Sequence, residues 1–475
     1  MKVLMVASEG HPFIKTGGLA DVIGSLPAAL KNNNVDVRVV LPKYMDIPDF
    51  FTSQMERMAE FEVDLAWRKQ YCGIEKMIYQ GIIFYFVDNE YYFKRHGLYG
   101  FFDEAERFGY FSLAVLAMLP WIDFKPDIIH LHDWQASLVP VFLKTKFNCN
   151  PFYQHIKTVL TIHNLKYQGV FSKDVLGDVL GLDDVLYDEK KMEFFGAINY
   201  LKGGIAYADL ISTVSKTYAE EIKSSYFGEN LDGILRQKDD IRGIINGIDQ
   251  KVFNPRTDPH LIYHYQNRYE TKVKNKEYMQ AKLGLPVGRD IPMIAFISRL
   301  VEQKGLDLIL RVLPDLMAKD LQLVILGTGD SVYEQSLKDW SKSHEHQFSI
   351  NLMYSESFAH QLYAASDMML LPSKFEPCGL TQLIALRYGS IPIVRETGGL
   401  KDTVIPYHPG LGTGSGFTFF RYNAHDMLNA IERALDLYQD KARWSSLVCH
   451  AMNQDFGWDH SAHEYVAMYQ ELLGI

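Results

Sequence analysis

Charged side chains follow two apolar, strand-like segments in the second half of the chain. Arg299 and Lys304 come after "MIAFI" in "SRLVEQKG", and Glu376 comes after "MMLLP" in "SKFEPCGL". Two cations at the carboxyl end of a strand suit a diphosphate, because Arg forms bidentate pairs and Lys acts as a point charge. The carboxylate can hold a hydroxylated ligand or a developing cation. The plain alternatives are two solvated cations and a carboxylate that pairs with a helix dipole.

Glycine-rich turns provide a second set of candidate ligands, the backbone N–H groups. The pattern Thr-Gly-Gly-Leu-x-Asp occurs at 16–21 and again at 397–402, and "CGLT" at 378–381 precedes a helix-like run. Adjacent glycines between a strand and a helix leave the N-terminal N–H groups bare, which favours a phosphate. The spacing matches neither the dinucleotide fingerprint nor the P-loop, so an ordinary strand-to-helix turn is the alternative.

Histidines follow strand-like segments in the first half. His163 comes directly after "VLTI", and His130 and His132 lie on one side of the strand in "HLHDWQ". For His163 the alternative to a binding role is a packed or capping side chain. A metal site is not expected, because Asp133 is adjacent where metallohydrolase patterns need a gap and no third ligand follows at a recognised spacing.

Short β-branched runs alternate with helix-like segments and predict the elements that carry these residues. The predicted strands are 3–7, 35–41, 82–87, 128–131, 159–162 and 211–214, then 294–297, 323–326, 368–371 and 391–394. This βαβ spacing predicts a mostly parallel, doubly wound sheet in each half, with ligands at the carboxyl ends of the strands. The turn at Asn246-Gly247 places the domain boundary near residue 245.

Composition restricts the class of protein. The net charge of −10, without a block of like charges, argues against nucleic-acid and membrane partners. Four scattered cysteines without a C-x-x-C pair indicate a reducing compartment, the cytoplasm. The apolar run "YFSLAVLAMLPWI" is too short to span a bilayer and predicts a buried helix.

Seven motifs, taken in order, resemble the bacterial glycogen synthases and plant starch synthases of glycosyltransferase family 5. They are "KTGGLADV", "HDWQ", "TIHNLKYQG", "NGID", "SRLVEQKG", "EPCGLTQL" and "TGGLKDTV". The resemblance implies an α/β GT-B fold, in which two Rossmann-like domains face each other across a deep cleft. It also implies transfer of glucose, with retention of configuration, from ADP-glucose to the non-reducing end of an α-1,4-glucan such as glycogen. UDP-glucose, which some members accept, is the alternative donor, and no metal or organic cofactor is implied.

The resemblance also assigns roles to residues of this chain. Implied domains are 1–245 on the acceptor side, 246–455 on the donor side, and a terminal helix, 456–475, that returns to the first domain. Implied donor contacts are Arg299, Lys304, Leu380 and Thr381 to the diphosphate, Glu376, Cys378 and Gly379 to the glucose, and Tyr354 to the nucleobase. Implied contacts from the first domain are Lys15, Gly17 and Gly18 near the donor, His163 and Asn246 at the glucose, and Asp133 on the acceptor side.

Three other interpretations of the chain stay open at this point. A glucan phosphorylase would need a Lys-bound pyridoxal phosphate and a much longer chain. A GT-B transferase could instead use a small acceptor, and a catalytically silent protein could bind glucan without turnover. For the retaining step, same-face attack and double displacement both remain.

Overall fold

The β-branched segments of the first half form strands close to the predicted positions. The computed structural model describes residues 1–238, 240–266 and 269–475. These residues form unit 1, Met1–Asn246 with Trp458–Ile475, and unit 2, Gly247–Gly457. The strands of unit 1 are β1 (Lys2–Val6), β2 (Asp36–Pro42), β3 (Glu56–Leu65), β4 (Arg68–Tyr79), β5 (Ile82–Asp88), β6 (Ile128–His132), β7 (Lys157–Ile162), β8 (Val170–Ser172), β9 (Glu193–Phe194), β10 (Ala197–Asn199), β11 (Leu210–Thr213) and β12 (Ile241–Gly243).

Helices connect these strands on the pattern of a doubly wound sheet. They are α1 (Gly18–Asn32), α2 (Asp49–Thr52), α3 (Glu90–Phe93), α4 (Glu104–Ala117), α5 (Leu138–Thr145), α6 (Val175–Asp178), α7 (Tyr200–Tyr207), α8 (Lys216–Glu221) and α9 (Asp232–Leu235). The main sheet has the order β12-β11-β7-β6-β1-β2-β5-β4-β3, and β8-β10-β9 form a small separate sheet. The strands from β12 to β5 pair in parallel. The chain leaves β1 for β2 on one side and comes back to β6 on the other, so the carboxyl ends of β1 and β6 flank the switch point where such sheets bind ligands.

Unit 2 repeats this architecture with a smaller sheet. Its strands are β13 (Met293–Ile297), β14 (Gln322–Leu326), β15 (Phe348–Asn351), β16 (Met368–Leu371), β17 (Ile391–Arg395) and β18 (Phe417–Phe419). Its helices are α10 (Tyr269–Lys282), α11 (Leu306–Met317), α12 (Ser331–Ser343), α13 (Glu356–Ala365), α14 (Thr381–Tyr388), α15 (Gly398–Thr403), α16 (Ala424–Gln439) and α17 (Lys441–Met452). The sheet order is β15-β14-β13-β16-β17-β18, with all neighbours parallel, and its switch point lies between β13 and β16.

The last helix, α18 (Trp458–Leu473), belongs to unit 1. The hydroxyl of Tyr469 lies 2.7 Å from Nδ1 of His130 on β6, and both residues are fully buried. Ser461 Oγ donates a hydrogen bond of 2.6 Å to the carbonyl of Ile245. The end of the chain is therefore part of the same core as the first strands.

The hairpin β3–β4 was absent from the predicted strands. Its residues pair antiparallel at the edge of the main sheet. Strand β3, "ERMAEFEVDL", is largely exposed along its first half and carries charges at alternate positions. It therefore lacks the continuous apolar signal of a strand buried on both faces. The predicted buried helix at 110–122 corresponds to the second half of α4 and a short turn at Leu119–Trp121.

Candidate active site

An ion pair joins the two strands that flank the switch point of unit 2. Lys304 follows β13 and Glu376 follows β16, and Lys304 Nζ lies 2.6 Å from Glu376 Oε2. The two side chains are only 17% and 11% exposed. Ser373 Oγ donates a second hydrogen bond, of 2.9 Å, to the same carboxylate oxygen. The sequence assigned the Lys to phosphate and the Glu to sugar; the structure brings the two into direct contact, so each holds the other in position.

Arg299 is the third predicted charged side chain at this edge. It is exposed, and among the described residues its guanidinium makes neither a hydrogen bond nor an ion pair. Lys304 is already paired, whereas the Arg299 fork is available to bind an anion bidentately. The two predicted phosphate ligands therefore differ in their partners within the protein.

The second glycine turn supports the loop that carries Glu376. Gly398 has φ +43°, and a Cβ there would lie 2.0 Å from the carbonyl oxygen of Glu376. A Cβ on Gly399 would lie 2.0 Å from the carbonyl oxygen of Cys378, and its N–H donates to Glu376 O at 3.1 Å. Only glycine allows this approach of two backbones. The turn thus positions the Glu376 loop, a role that the phosphate interpretation did not include.

Helix α14 begins beside this loop without a side-chain cap. Leu380 is its N-cap residue, and Thr381 is its first helical residue. Gly379, with φ +73°, forms the turn, and Gln382 Nε2 donates to the carbonyls of Cys378 and Gly379 at 2.9 and 2.8 Å. The first N–H groups of a helix have no partner within the helix, so this end can bind a negative group.

A glycine-rich loop that the sequence interpretation missed supports Arg299. Gly327 and Gly329 follow β14. A Cβ on Gly327 would lie 1.8 Å from Ser298 O, and a Cβ on Gly329 would lie 2.2 Å from Leu300 O. Leu300 N–H in turn donates to Thr328 O at 2.9 Å. The signal was present as "GTGD" directly after an apolar strand.

Tyr354 lies at the same edge of the sheet, between β15 and α13. Its side chain is 85% exposed. An exposed ring at the carboxyl end of a strand offers a flat face for stacking.

In unit 1 the first glycine turn is not bare as predicted. Glu9 accepts hydrogen bonds from the backbone N–H and the hydroxyl of Thr16, and the backbone of Gly17 also contacts its carboxylate. Burial raises the pKa of the Glu9 carboxyl, and the bonds from Thr16 oppose that shift. The N-terminal side of α1, which starts at Gly18, therefore already has an acidic partner within the protein, the Glu9 side chain. Lys15 pairs with Asp21 at 2.6 Å and stays partly exposed.

His132 and His163 form a neutral pair at the carboxyl ends of β6 and β7. His132 Nδ1 lies 2.9 Å from His163 Nε2. Burial lowers the pKa of His163 to about 3, so its imidazole is uncharged near neutral pH. A neutral ring suits a hydrogen bond to a sugar hydroxyl and does not suit proton donation as an imidazolium. His130, behind His132, bonds Thr161 and the last helix rather than facing the site.

The Asp133 side chain holds the backbone of His163 in position. Asp133 has φ +59°, and its Oδ1 accepts the backbone N–H of His163 at 2.7 Å. Burial raises the pKa of the Asp133 carboxyl to about 7, although the bonds from the His163 and Asn164 backbones oppose this. The acceptor-side role of Asp133 stays a prediction; in addition, its carboxylate orients the loop that carries His163.

Asn246 ends the first segment of unit 1. It is 6% exposed, and its Oδ1 has no hydrogen-bond partner in the part of the chain that the structure describes. A buried amide oxygen without a partner is costly, and a ligand hydroxyl would satisfy it.

One group of possible metal ligands lies elsewhere in unit 2. Ligand atoms of Asp258, His260 and His360 lie within 4.8 Å of one another. The Asp258 carboxylate, however, already bonds His360 Nδ1, Tyr388 and the His260 backbone. These bonds account for the cluster as internal packing, and it contains none of the predicted site residues.

Comparison with known proteins shows the family. A family model described as the starch synthase catalytic domain matches residues 2–237, and one described as glycosyl transferases group 1 matches residues 279–446. A glycogen synthase of Desulforamulus reducens is 53% identical over 475 residues, covering 100% of this chain and 99% of that protein. One of Clostridium acetobutylicum is 52% identical over 477 residues, covering 100% of both. The chain belongs to the family of glycogen and starch synthases.

Solved structures confirm the predicted GT-B fold of this family. The catalytic domain of starch synthase IV from Arabidopsis thaliana, bound to ADP and acarbose, matches with a TM-score of 0.92 at 32% identity, covering 100% of this chain and 99% of that one. A sucrose-phosphate synthase from Thermosynechococcus elongatus matches with a TM-score of 0.63 at 17% identity, which shows the fold alone. The predicted enzyme class, a glycosyltransferase, is confirmed. No helix within the described ranges is both long and apolar enough to cross a membrane.

Proposed function

We propose that this glycogen synthase family member transfers glucose from ADP-glucose to the non-reducing end of an α-1,4-glucan, with retention of configuration and release of ADP. The observation that carries the proposal is the Lys304–Glu376 pair at the switch point of unit 2, with Arg299 open beside it. The proposal includes glycogen as the acceptor and the cytoplasm as the location. It includes neither a nucleic-acid nor a membrane partner, in keeping with the net charge of −10.

Unit 2 is the proposed donor domain. Breaking the bond between glucose and diphosphate creates negative charge on the leaving group and an oxocarbenium-like sugar. Arg299 binds the diphosphate first, and Lys304 then shares its charge between Glu376 and the phosphate oxygens. Fixed cations of this kind stabilise the leaving group more in the transition state than in the ground state.

Glu376 has a separate role toward the sugar. Its carboxylate, held by Lys304 and Ser373, binds the glucose hydroxyls, while the amides of Leu380 and Thr381 complete the phosphate site. The backbone of Cys378 and Gly379 lies beside the sugar, and Tyr354 stacks on the adenine.

Unit 1 is the proposed acceptor domain. His163 and Asn246 bind the donor glucose through a neutral imidazole and an unpaired amide oxygen. Lys15, Gly17 and Gly18 contact the donor from the glycine turn, and Asp133 acts through His163. The leaving phosphate takes the proton of the acceptor hydroxyl, because the imidazole of His163 resists protonation.

Incorporation of labelled glucose tests this function. Purified protein is incubated with ADP-[14C]glucose and glycogen, and the polymer is then digested with β-amylase. Release of labelled maltose supports addition through α-1,4 bonds at the non-reducing ends. Absence of label from the polymer contradicts the proposal, and transfer of label to an added sugar phosphate instead would favour a small acceptor.

A further inference from the structure

A small cavity lined by arginine and carboxamide side chains lies in unit 2. Its volume is about 160 Å³. The polar residues that line it are Asn254, Arg256, Gln266, Arg387 and Asn453. Among the described residues, no carboxylate lines this cavity, which is here called the Arg387 pocket. It contains none of the candidate residues of the active site.

The Arg387 pocket is separate from the candidate active site. Helix α14 begins at Thr381 beside the Glu376 loop, and Arg387 lies in its last turn. The helix has eight residues, so its two ends lie about 12 Å apart. In a doubly wound parallel sheet, the helices end opposite the carboxyl ends of the strands, where the substrate site lies. The pocket therefore lies at the other end of the unit 2 sheet from the Lys304–Glu376 pair.

Hydrogen bonds hold the walls of the pocket together. Asn254 Oδ1 accepts the backbone N–H of Arg256 at 3.1 Å. The backbone N–H of Tyr265 donates to Pro255 O at 2.9 Å, and the Tyr265 hydroxyl donates to Tyr388 O at 2.7 Å. Tyr265 thereby joins the segment that carries Arg256 to the end of α14. Its hydroxyl also occupies a carbonyl at the carboxyl end of that helix, which would otherwise repel an anion.

The two guanidiniums of the pocket pair with no carboxylate in the ranges that the structure describes. Arg387 Nε donates to Phe253 O at 3.4 Å, so the remaining N–H groups of its fork stay available. The side chain of Arg256 is exposed. Two cations beside a cavity without a carboxylate make this region positive in a chain whose net charge is −10. The pocket therefore favours an anionic ligand.

The size and charge of the pocket indicate which anion it takes. Sites for larger organic ligands are typically about 300–1,000 Å³, so a cavity of about 160 Å³ suits a compact group rather than a whole nucleotide. A phosphate monoester carries a charge of about −1.5 to −2 near neutral pH, which two guanidiniums balance. Phosphate oxygens also accept the paired N–H groups of an Arg fork. A carboxylate, with one charge and two oxygens, matches two cations less well.

We propose that the Arg387 pocket binds a phosphate group, either as inorganic phosphate or as the end of a small phosphate ester. Arg256 and Arg387 bind the phosphate oxygens, and carboxamide N–H groups of the lining donate further hydrogen bonds. The site is distinct from the proposed donor site, and the proposal goes beyond the transfer of glucose and does not depend on it.

Binding of phosphate to the full chain tests this site. Dissociation constants for inorganic phosphate and for glycerol 3-phosphate are measured by phosphorus NMR at saturating ADP, which fills the proposed donor site. We expect saturable binding of inorganic phosphate by the wild type. Arg256→Gln and Arg387→Gln should each weaken it by about tenfold or more, because each removes charge-assisted hydrogen bonds. Arg311→Gln, at an exposed cation of α11, is the matched control and should change the affinity by less than twofold.

The two probes and the two variants give separate outcomes. Glycerol 3-phosphate binding that the same variants weaken would assign the pocket to a phosphate ester, whereas binding of inorganic phosphate alone would assign it to the free ion. Arg256 is exposed, so its variant tests the site even where the half-buried Arg387 is needed for folding, which circular dichroism checks. The proposal is overturned by a wild type that binds neither probe, or by binding that survives both substitutions. Binding that Arg299→Ala removes instead would place the ion at the proposed donor site and would also overturn it.

Discussion

At the scale of single residues, the two cations at the unit 2 switch point differ in their partners. Arg299 is unpaired within the described residues, whereas Lys304 is held by Glu376 at 2.6 Å. We expect Arg299→Ala and Lys304→Ala each to lower kcat by roughly 10²-fold or more, because each removes charge at the leaving diphosphate. Arg311→Ala, at an exposed cation of α11, is the matched control. Steady-state kinetics with glycogen decide this, and activity within a few-fold of wild type would contradict the role of the altered residue.

Glu376 should separate catalysis from nucleotide affinity. Its removal frees Lys304 from an ion pair, so ADP binding should stay unchanged or tighten while kcat falls. We expect Glu376→Ala to lower kcat by at least roughly 10²-fold. The dissociation constant for ADP is measured by calorimetry on the same preparation. A parallel collapse of ADP affinity would show that Glu376 serves the phosphate site instead.

Asp133 makes stability depend on pH in a defined direction. Burial raises the pKa of its carboxyl from 3.8 to about 7. Between these values the unfolded chain ionises this group and the folded chain does not, so its contribution to stability is lost as the pH rises from about 4 to 7. We expect Asp133→Asn, which cannot ionise, to gain at least about 1 kcal/mol relative to wild type over this interval.

Urea unfolding of the full chain at pH 5 and pH 8, for wild type and Asp133→Asn, measures this gain in the free energy of unfolding. Asp123→Asn, at an exposed carboxylate of the same unit, is the control. A difference between Asp133→Asn and wild type that is constant across pH would show that Asp133 is ionised in the folded protein.

At the scale of elements, the glycine turn at 397–399 positions the loop of Glu376. We expect Gly398→Ala to lower both the melting temperature and kcat, the latter by about tenfold or more, because the new Cβ would contact Glu376 O at 2.0 Å. Gly412→Ala is the matched control, since Gly412 also has positive φ, at +66°, but a Cβ there would meet no atom within 4 Å. It should lose only about 1 kcal/mol through backbone strain. Equal kcat values for the two variants would contradict the positioning role.

The elements that the sequence predicted are those with strong local signals. Strand β16 occupies Met368–Leu371 as predicted, because four apolar residues between turns leave little choice. The Lys304–Glu376 contact joins residues 72 positions apart, and no local pattern reveals such a pairing. The contact between the Glu9 carboxylate and Thr16 spans only seven positions, but it lies in a turn that has no repeating helix or strand pattern to predict it. The predicted roles of the site residues stay predictions, because they depend on bound ligands.

At the scale of the whole molecule, the two units place their candidate residues in the same way. Each has a doubly wound parallel sheet, and the candidate residues follow the two strands that flank its switch point. In unit 2 these strands are β13 and β16, before Lys304 and Glu376; in unit 1 they are β1 and β6, before Glu9 and Asp133. The connecting segments are held locally, since Ile248 N–H donates to Phe456 O at 2.8 Å.

Donor preference is a property of the whole enzyme, and it bears directly on the proposed reaction. The value of kcat/KM is measured for ADP-glucose and UDP-glucose with glycogen as the acceptor. We predict incorporation from ADP-glucose and a preference of several-fold over UDP-glucose, because a purine covers more of the exposed Tyr354 ring than a pyrimidine does, a difference of about 1 kcal/mol. Equal values, or a preference for UDP-glucose, would contradict the donor assignment, and incorporation from neither donor would contradict the proposed glucosyl transfer.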